Sequence, residues 1–492
     1  MNDATMRALD RSAPAMGLLI GGEEIANGSG GVFFHVNPVT GQVQAEIPLA
    51  GPDEIDRAVD AAAEAYIGWR ATAGSERRRL LLRLADLIEL NAVEFGRRSA
   101  IESGIPIAIG GHWGPIICAE WIRYYAGFAD KIEGHLIGTH PSDDFAYVTP
   151  EPYGVIGTII TWNGPLISLG MKVPAALAAG NTVVIKPSEL SPFVPALFGR
   201  LVKEAGFPDG VVNVVPGGIE AGERLVNHPK VDKISFTGGP STAKRIMHAC
   251  ADLLRPVVLE LGGKAVNIVF ADADLDAAAL QAVNGSLGVL SGQSCAMPSR
   301  VVVHETVHDA MLERMIAIAE TMKIGDPFDS DTVIGPLINE AAAVRVLGLI
   351  DAGIAGGRMQ LKTGGKRVGG DFAAGAFIEP TIFANVDTHE PLAQNEIFGP
   401  VVTVHKFSTE AEAIEIGNST AYGLGGYMHT NDLRRAHRVA AMLKTGNVWI
   451  NDARTLAPQM PFGGFGVSGF GREGGRAGLD EFLRFKGIAI GR

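Results

Sequence analysis

From about residue 153, short apolar runs alternate with longer amphipathic stretches. Gly154-Val-Ile-Gly-Thr-Ile-Ile160 is a run of the buried-strand type, followed by a Gly/Pro break and a helical pattern to Ala179. Thr182-Val-Val-Ile185 with 192–205, Val211–Val215 with 221–227, and Lys233–Thr237 with 241–254 repeat the pair, and Val257-Val-Leu259 closes the series. Short, β-branched runs separated by helical patterns predict βαβ units around a parallel sheet. No period of 20–50 residues repeats, and no low-complexity linker divides the chain.

Ligands of such sheets bind where strands end and loops begin. The first such loop is Thr161-Trp162-Asn163-Gly164-Pro165, an amide beside an aromatic ring. The second is Lys186-Pro187-Ser188-Glu189, a cation and a carboxylate three apart, suited to the two hydroxyls of a ribose. After the fourth strand, Phe236-Thr237-Gly238-Gly239-Pro240-Ser241-Thr242 runs into a helix N-terminus, whose free N–H groups favour a pyrophosphate. Any one of these is ordinary loop chemistry; three in succession point to a nucleotide. A second stretch leads from Glu260-Leu-Gly-Gly-Lys264 to Gly292-Gln-Ser-Cys295.

Composition narrows the class. The 492 residues carry 42 Lys+Arg against 54 Asp+Glu, a net charge of −12, with 47% apolar residues. That balance excludes a disordered chain and, with no long basic run, argues against nucleic acid as a partner. No apolar stretch approaches the roughly 18–20 residues of a membrane span. Three cysteines suit a reducing compartment, so a cytoplasmic protein of about two or three domains is expected. Cys118 and Cys250 sit in apolar surroundings and read as small buried hydrophobes. Cys295 lies among small and polar residues, as an accessible nucleophile needs, with Glu260 a candidate partner.

Trp162-Asn163, Gly180-Asn-Thr-Val-Val-Ile-Lys-Pro-Ser-Glu189, Phe236-Thr-Gly-Gly239, Glu260-Leu-Gly-Gly-Lys264 and Gly292-Gln-Ser-Cys295 resemble the signatures of the aldehyde dehydrogenase superfamily. So do Glu396-Ile-Phe-Gly-Pro400 and Pro461-Phe-Gly-Gly464 with Ser468-Gly-Phe-Gly-Arg-Glu473, all in the family's order from about residue 18 onward. The resemblance implies an α/β fold of aldehyde dehydrogenase type. A Rossmann-type NAD domain would span 18–133 and 153–262, and an α/β catalytic domain 263–470. A small β oligomerisation or bridging element would take 134–152 and 471–492, after a flexible extension over 1–17.

It also implies NAD-dependent oxidation of an aldehyde to the acid. Cys295 would form a thiohemiacetal and then a thioester, Asn163 would hold the oxyanion, and Glu260 would activate the hydrolytic water, assisted by Lys172 and Glu473. The cofactor would be held by Ile159, Thr161, Trp162, Lys186, Glu189, Phe236, Gly238, Gly239, Thr242, Leu261, Glu396 and Phe398. Glu189 favours NAD over NADP, because its carboxylate would face the extra phosphate. The substrate pocket would comprise Gly164, Ser168, Met171, Ser294, Ala296, Leu456 and Phe462. Several of these are smaller than is common in the family, which points to a bulky apolar or aryl aldehyde. A CoA-acylating or semialdehyde-specific relative, or a non-catalytic protein keeping the fold, is the alternative. A homodimer or homotetramer is expected, because the family pairs the last strand, Leu483–Ile490, across subunits.

Three motifs are set aside. His304-Glu-Thr-Val-His308 fits a zinc motif that needs a helix, but Arg300–His304 reads as a strand, so no metal is assigned. Gly464-Phe-Gly-Val-Ser-Gly469 lacks a preceding strand, and Asp272-Ala-Asp-Leu-Asp276 lacks the glycine and glutamate of a calcium loop and reads as helix capping. Gly466 stands where a lysine is common in the family, with no consequence legible in the sequence.

Overall fold

The computed structural model describes residues 9–451 and 456–491. Its first sheet has a five-stranded parallel centre ordered Val212–Val214, Thr182–Lys186, Val155–Ile159, Lys233–Thr237 and Val257–Glu260. Thr182–Lys186 shows why the alternation was readable: all five residues are buried, as β-branched strands covered on both faces require. Gly180, at φ 99°, ends the preceding helix Pro165–Ala179 in the left-handed conformation, which turns the chain directly into that strand. Strand order reverses between Val155–Ile159 and Lys233–Thr237, the topological switch point where a crevice opens.

The antiparallel strands Leu18–Ile20 and Glu23–Ile25 extend one edge of this sheet. The other edge gains Gly469–Phe470, which the expected boundary at 470 had grouped with the second domain. Its backbone reaches Glu260 because Gly469 has no side chain; a Cβ there would lie 2.0 Å from the Leu259 carbonyl.

The second sheet is ordered Gln360–Thr363, Thr381–Ala384, Val401–Phe407, Pro298–His304, Ala265–Val269, Gly425–His429 and Asn447–Ile450, parallel except for its first strand. A separate antiparallel sheet joins His135–Ile137, Phe145–Pro152 and Leu483–Ile490. The last strand pairs with Phe145–Pro152 of its own chain and leaves its other edge open. One apolar cluster, containing Trp69, Trp121 and Phe198, continues into Ala296, Tyr427 and Trp449 of the second sheet, so the two sheets are locked across their junction.

The N-terminal extension departs from expectation over its described part. Leu9, Ala13 and Met16 pack on a cluster with Ile47 and Phe328, and Arg11 pairs with Asp326 at 2.5 Å. Residues 1–8 lie outside the described residues. Among the described residues, no helix is long and apolar enough to cross a membrane.

Candidate active site

A groove opens at the switch point. Two cavities, of about 450 and 400 Å³, share Ile159, Phe236 and Thr242 as walls and so form one trough. Its outer half is lined by Lys186, Glu189, Gly222 and Ile246; its inner half by Thr161, Trp162, Asn163, Gly238, Gly239, Leu261, Cys295, Glu396 and Phe398. Every residue named above for the cofactor thus borders one groove. Lys186 donates to the Pro187 carbonyl (3.2 Å), and burial lowers its pKa while Glu189 opposes that shift. The helix Pro240–Asp252 starts at Gly239 without a side-chain cap, so its first-turn N–H groups face the trough unclaimed by a capping side chain. Gly238 has to be glycine, since a Cβ would meet the Phe236 ring at 2.4 Å.

The second sheet supplies Cys295 from a strained turn. A widened π turn, Asn284–Gly288, is followed by Leu290 and Ser291 at φ 51° and 54°, a conformation that costs roughly 1–3 kcal/mol per residue and needs outside support. The support is visible. Ser291 Oγ donates to the Gly335 carbonyl and accepts from the Gly335 N–H, both at 3.0 Å. Gln293 Nε2 donates to the Leu290 carbonyl (3.0 Å), while its Oε1 accepts from Ile338 N–H (2.9 Å). Asn163 Nδ2 donates to the Gln293 carbonyl at 2.8 Å, which ties the first-sheet loop to the cysteine turn. A Cβ on Gly263 would fall 2.2 Å from the Cys295 carbonyl, so the Gly-Gly pair lets the two backbones touch.

Burial pushes the Cys295 thiol up to about 12, with the Glu396 and Glu260 carboxylates adding to the shift; the N–H groups of Cys295 and Ala296 oppose it. Cys118 and Cys250 are buried, and burial raises both. Only Cys295 borders the groove among the three.

Glu260 ends its strand 3% exposed, and neither carboxylate oxygen has a hydrogen-bond partner among the described residues. Burial, then the Glu473 carboxylate, raises its pKa well above the usual carboxylate range, while Lys172 pulls it down. Lys172 Nζ pairs with Glu473 Oε1 and donates to Ser235 Oγ at 3.1 Å. Glu473 is fixed by a backbone pair with Phe462, its N–H donating to the Phe462 carbonyl at 2.8 Å. Glu396 Oε1 accepts from Gly263 N–H (3.0 Å), and burial raises its pKa. Phe398, at φ 55°, sets its ring edge-on to Trp162 with centroids 5.3 Å apart.

Of the pocket residues, Gly164 caps the helix Pro165–Ala179 that carries half-buried Ser168 and buried Met171. Leu456 and Cys295 pack against the same core cluster that contains Ala296 and Phe462, and Ser294 precedes the cysteine. The motifs set aside resolve as follows: His304 ends the strand Pro298–His304 and His308 starts a helix, so the two imidazoles share no helix face. Asp274 caps the helix Leu275–Val283, accepting from Asp276 and Ala277 N–H. Gly466 lies at φ 60°, and a Cβ there would fall 2.7 Å from the Ala421 carbonyl, so the turn selects glycine. Ser235, Gln293 and Ser291 were missed, because each reads in sequence as an ordinary strand or loop residue.

The geometry is that of a thiol and an amide at one end of a nucleotide-sized trough, with an unpaired buried carboxylate acting on the thiol. The profile of the aldehyde dehydrogenase family matches residues 26–488. The chain belongs to the aldehyde dehydrogenase family. It is 42% identical over 477 residues to an aldehyde dehydrogenase of Alternaria alternata, covering 96% of this chain and 95% of that one. Retinal dehydrogenase 2 of Mus musculus is 42% identical over 467 residues, 94% of this chain and 89% of its own. Among solved structures, betaine aldehyde dehydrogenase of Staphylococcus aureus in complex with NAD+ superposes with a TM-score of 0.93 at 35% identity, covering 97% of this chain and 94% of that one. This aldehyde dehydrogenase is therefore an oxidoreductase acting on the aldehyde group.

Proposed function

We propose that the protein oxidises a bulky apolar or aryl aldehyde to its carboxylic acid with NAD, through a thioester on Cys295. The observation that carries this reading is that Cys295 and Asn163 line the inner half of one groove, with the unpaired Glu260 carboxylate close enough to raise the thiol. The groove suits a dinucleotide by its donor set: a lysine and a carboxylate at its outer half, an uncapped helix N-terminus at the middle, and Glu396 at its inner half. Lys186 and Glu189 would take the adenosine ribose, Gly238, Gly239 and Thr242 the pyrophosphate, and Glu396 the second ribose. Bound NAD would supply hydride acceptance at the nicotinamide. Glu189 selects a ribose with a free 2′-hydroxyl.

In this reading the Cys295 sulfur attacks the aldehyde carbon, and the resulting oxyanion is held by the Asn163 amide and the Cys295 N–H. Donors of this kind are worth about 10²–10³ in rate. Glu260 then takes a proton from the water that cleaves the thioester. The presence of Glu260 favours hydrolysis over acyl transfer to a thiol such as CoA. Lys172 and Glu473 hold the charge balance around it.

The small side chains at Gly164 and Ser168, with Leu456 in place of a larger ring, favour a wide entrance, and one relative is by its name a dehydrogenase of retinal. By the same reading, 18–133 with 153–262 binds the nucleotide, 263–470 carries the nucleophile, and 134–152 with 471–492 joins subunits. The open edge of Leu483–Ile490, with Phe485 and Ile490 exposed, supports a homodimer or homotetramer. Three free cysteines support a cytoplasmic location. The test is NADH formation across aliphatic, aryl and steroid-like aldehydes; kcat/KM far higher for acetaldehyde than for aryl aldehydes would refute the substrate class, and full activity in Cys295→Ala would refute the mechanism.

A further inference from the structure

We propose that His35 and Glu102 are positioning residues for dinucleotide binding: from outside the groove they hold the turn that carries Glu189 where its carboxylate meets the adenosine ribose. The proposal rests on the reading that Glu189 takes that ribose. Both residues are polar and almost wholly enclosed, His35 at 2% and Glu102 at 1% exposure. The strand Val32–Val36 leaves Val32, Phe34 and Val36 exposed and buries the imidazole, the reverse of the usual pattern. Such burial is unfavourable unless the polar atoms are paired, and both residues bond to one short segment, 190–194.

Glu189 lies in a turn closed by Ser188, whose carbonyl accepts from Ser191 N–H and whose hydroxyl accepts from Leu190 N–H, each at 3.2 Å. The turn joins the strand Thr182–Lys186 to the helix Phe193–Ala205. At Leu190 the backbone carbonyl can only accept, so His35 Nε2 carries the hydrogen of the 3.1 Å bond between them. Nδ1 is then an acceptor, filled by Gln44 Nε2 at 3.1 Å, and Gln44 Nε2 also donates to the Ile101 carbonyl at 2.8 Å. Burial lowers the His35 pKa, which keeps the ring in the neutral form that these bonds need.

At the helix start, Glu102 Oε2 accepts from the N–H groups of Phe193 (2.6 Å) and Val194 (3.2 Å). Pro195 has no N–H, and Ala196 N–H donates to the Pro192 carbonyl at 3.1 Å, so Glu102 satisfies the free end of this helix. Ile101 and Glu102 are neighbours at the end of the helix Ala92–Ser103, so one element braces the turn twice. Loosening that brace lets the turn visit other conformations, and apparent affinity falls with the fraction that stays competent.

The test is calorimetric titration with NAD, read beside the rate of iodoacetamide alkylation of Cys295 in the dinucleotide-free protein, followed by mass spectrometry. In His35→Ala and Glu102→Ala the dissociation constant for NAD should rise about tenfold, a competent fraction of about one tenth, while alkylation keeps its rate. Gln44→Ala, a milder change at a half-buried site, should shift it in the same direction. Burial pushes the Glu102 carboxyl up to about 8, with the Val194 and Phe193 N–H groups and the Arg98 guanidinium opposing, so near neutral pH it holds its proton. Glu102→Gln resembles that form, keeps an acceptor oxygen and should bind NAD as the unmodified protein does. Glu189→Gln should also weaken NAD binding; if it does not, the ribose assignment falls and this route with it. NAD affinity unchanged in all three alanine variants while Glu189→Gln is weakened would overturn the brace alone. An alkylation rate that changes in step with NAD binding would mark a general loss of fold and overturn it as well.

Discussion

The two parallel sheets contribute opposite ends to the same groove. The first presents the carboxyl ends of its strands: Asn163, Lys186, Gly238 and Glu260 all stand at or just after a strand end. The second presents the amino ends: Lys264 precedes Ala265–Val269, Cys295 precedes Pro298–His304, and Glu396 precedes Val401–Phe407. Carboxyl-end loops run into helix N-termini and so come with N–H groups for an anion. Amino-end loops do not run into helix N-termini, and the second sheet instead holds its thiol by a left-handed turn pinned at Ser291 and Gln293. One side binds by regular topology; the other positions by strain and anchoring.

The strongest way to break this division is at its reacting atoms. Cys295→Ala should abolish NADH formation, whereas Glu260→Gln should lower turnover by about 10²–10⁴ while leaving a single-turnover burst of NADH, followed by stopped-flow absorbance. Asn163→Ala removes the tether between the sheets as well as the proposed oxyanion donor, so kcat/KM should fall about 10²–10³ in steady-state assays.

Anchoring of the second side is probed by Gln293→Ala. It leaves the Ile338 N–H without its partner and should lower stability by about 1–3 kcal/mol in urea unfolding, with the turn loosened around Cys295. The smallest expected effect concerns charge. The thiol lies near 12, so its thiolate fraction, and with it iodoacetamide alkylation of the dinucleotide-free protein, should rise with pH without a plateau below pH 10. Glu396→Gln removes one of the carboxylates that raise the thiol and should speed alkylation at any fixed pH in that range. A plateau near pH 8 would show that the thiol is already activated.

Much of the first sheet is legible in the chain because its signals are local. The run Thr182–Ile185 is apolar on both faces, Gly180 ends a helix, and the glycines before Pro240 sit where a helix begins. The cysteine could be singled out by its polar neighbours. Its turn could not: Leu290 and Ser291 carry no residue signature for positive φ, and the bonds that hold them come from Gly335 and Ile338, more than 40 residues away. The packing of residues 9–17 is not legible for the same reason, since Arg11 meets Asp326 only after folding. Gly466, without meaning in the sequence, becomes a backbone requirement beside Ala421.

By itself, then, the sequence determined what is set by neighbours in the chain: the alternation of strands and helices, the switch-point loops, and which cysteine is chemically accessible. Tertiary structure decided what depends on distant groups sharing a water-free space. Glu260 has its raised pKa because burial and Glu473, 213 positions later, act on it together. Likewise the Lys233–Glu481 pair exists only because a sheet strand and the C-terminal segment close over one another. Local pattern fixes backbone conformation through short-range sterics and hydrogen bonding; charge behaviour follows the surroundings, and those are assembled by the fold.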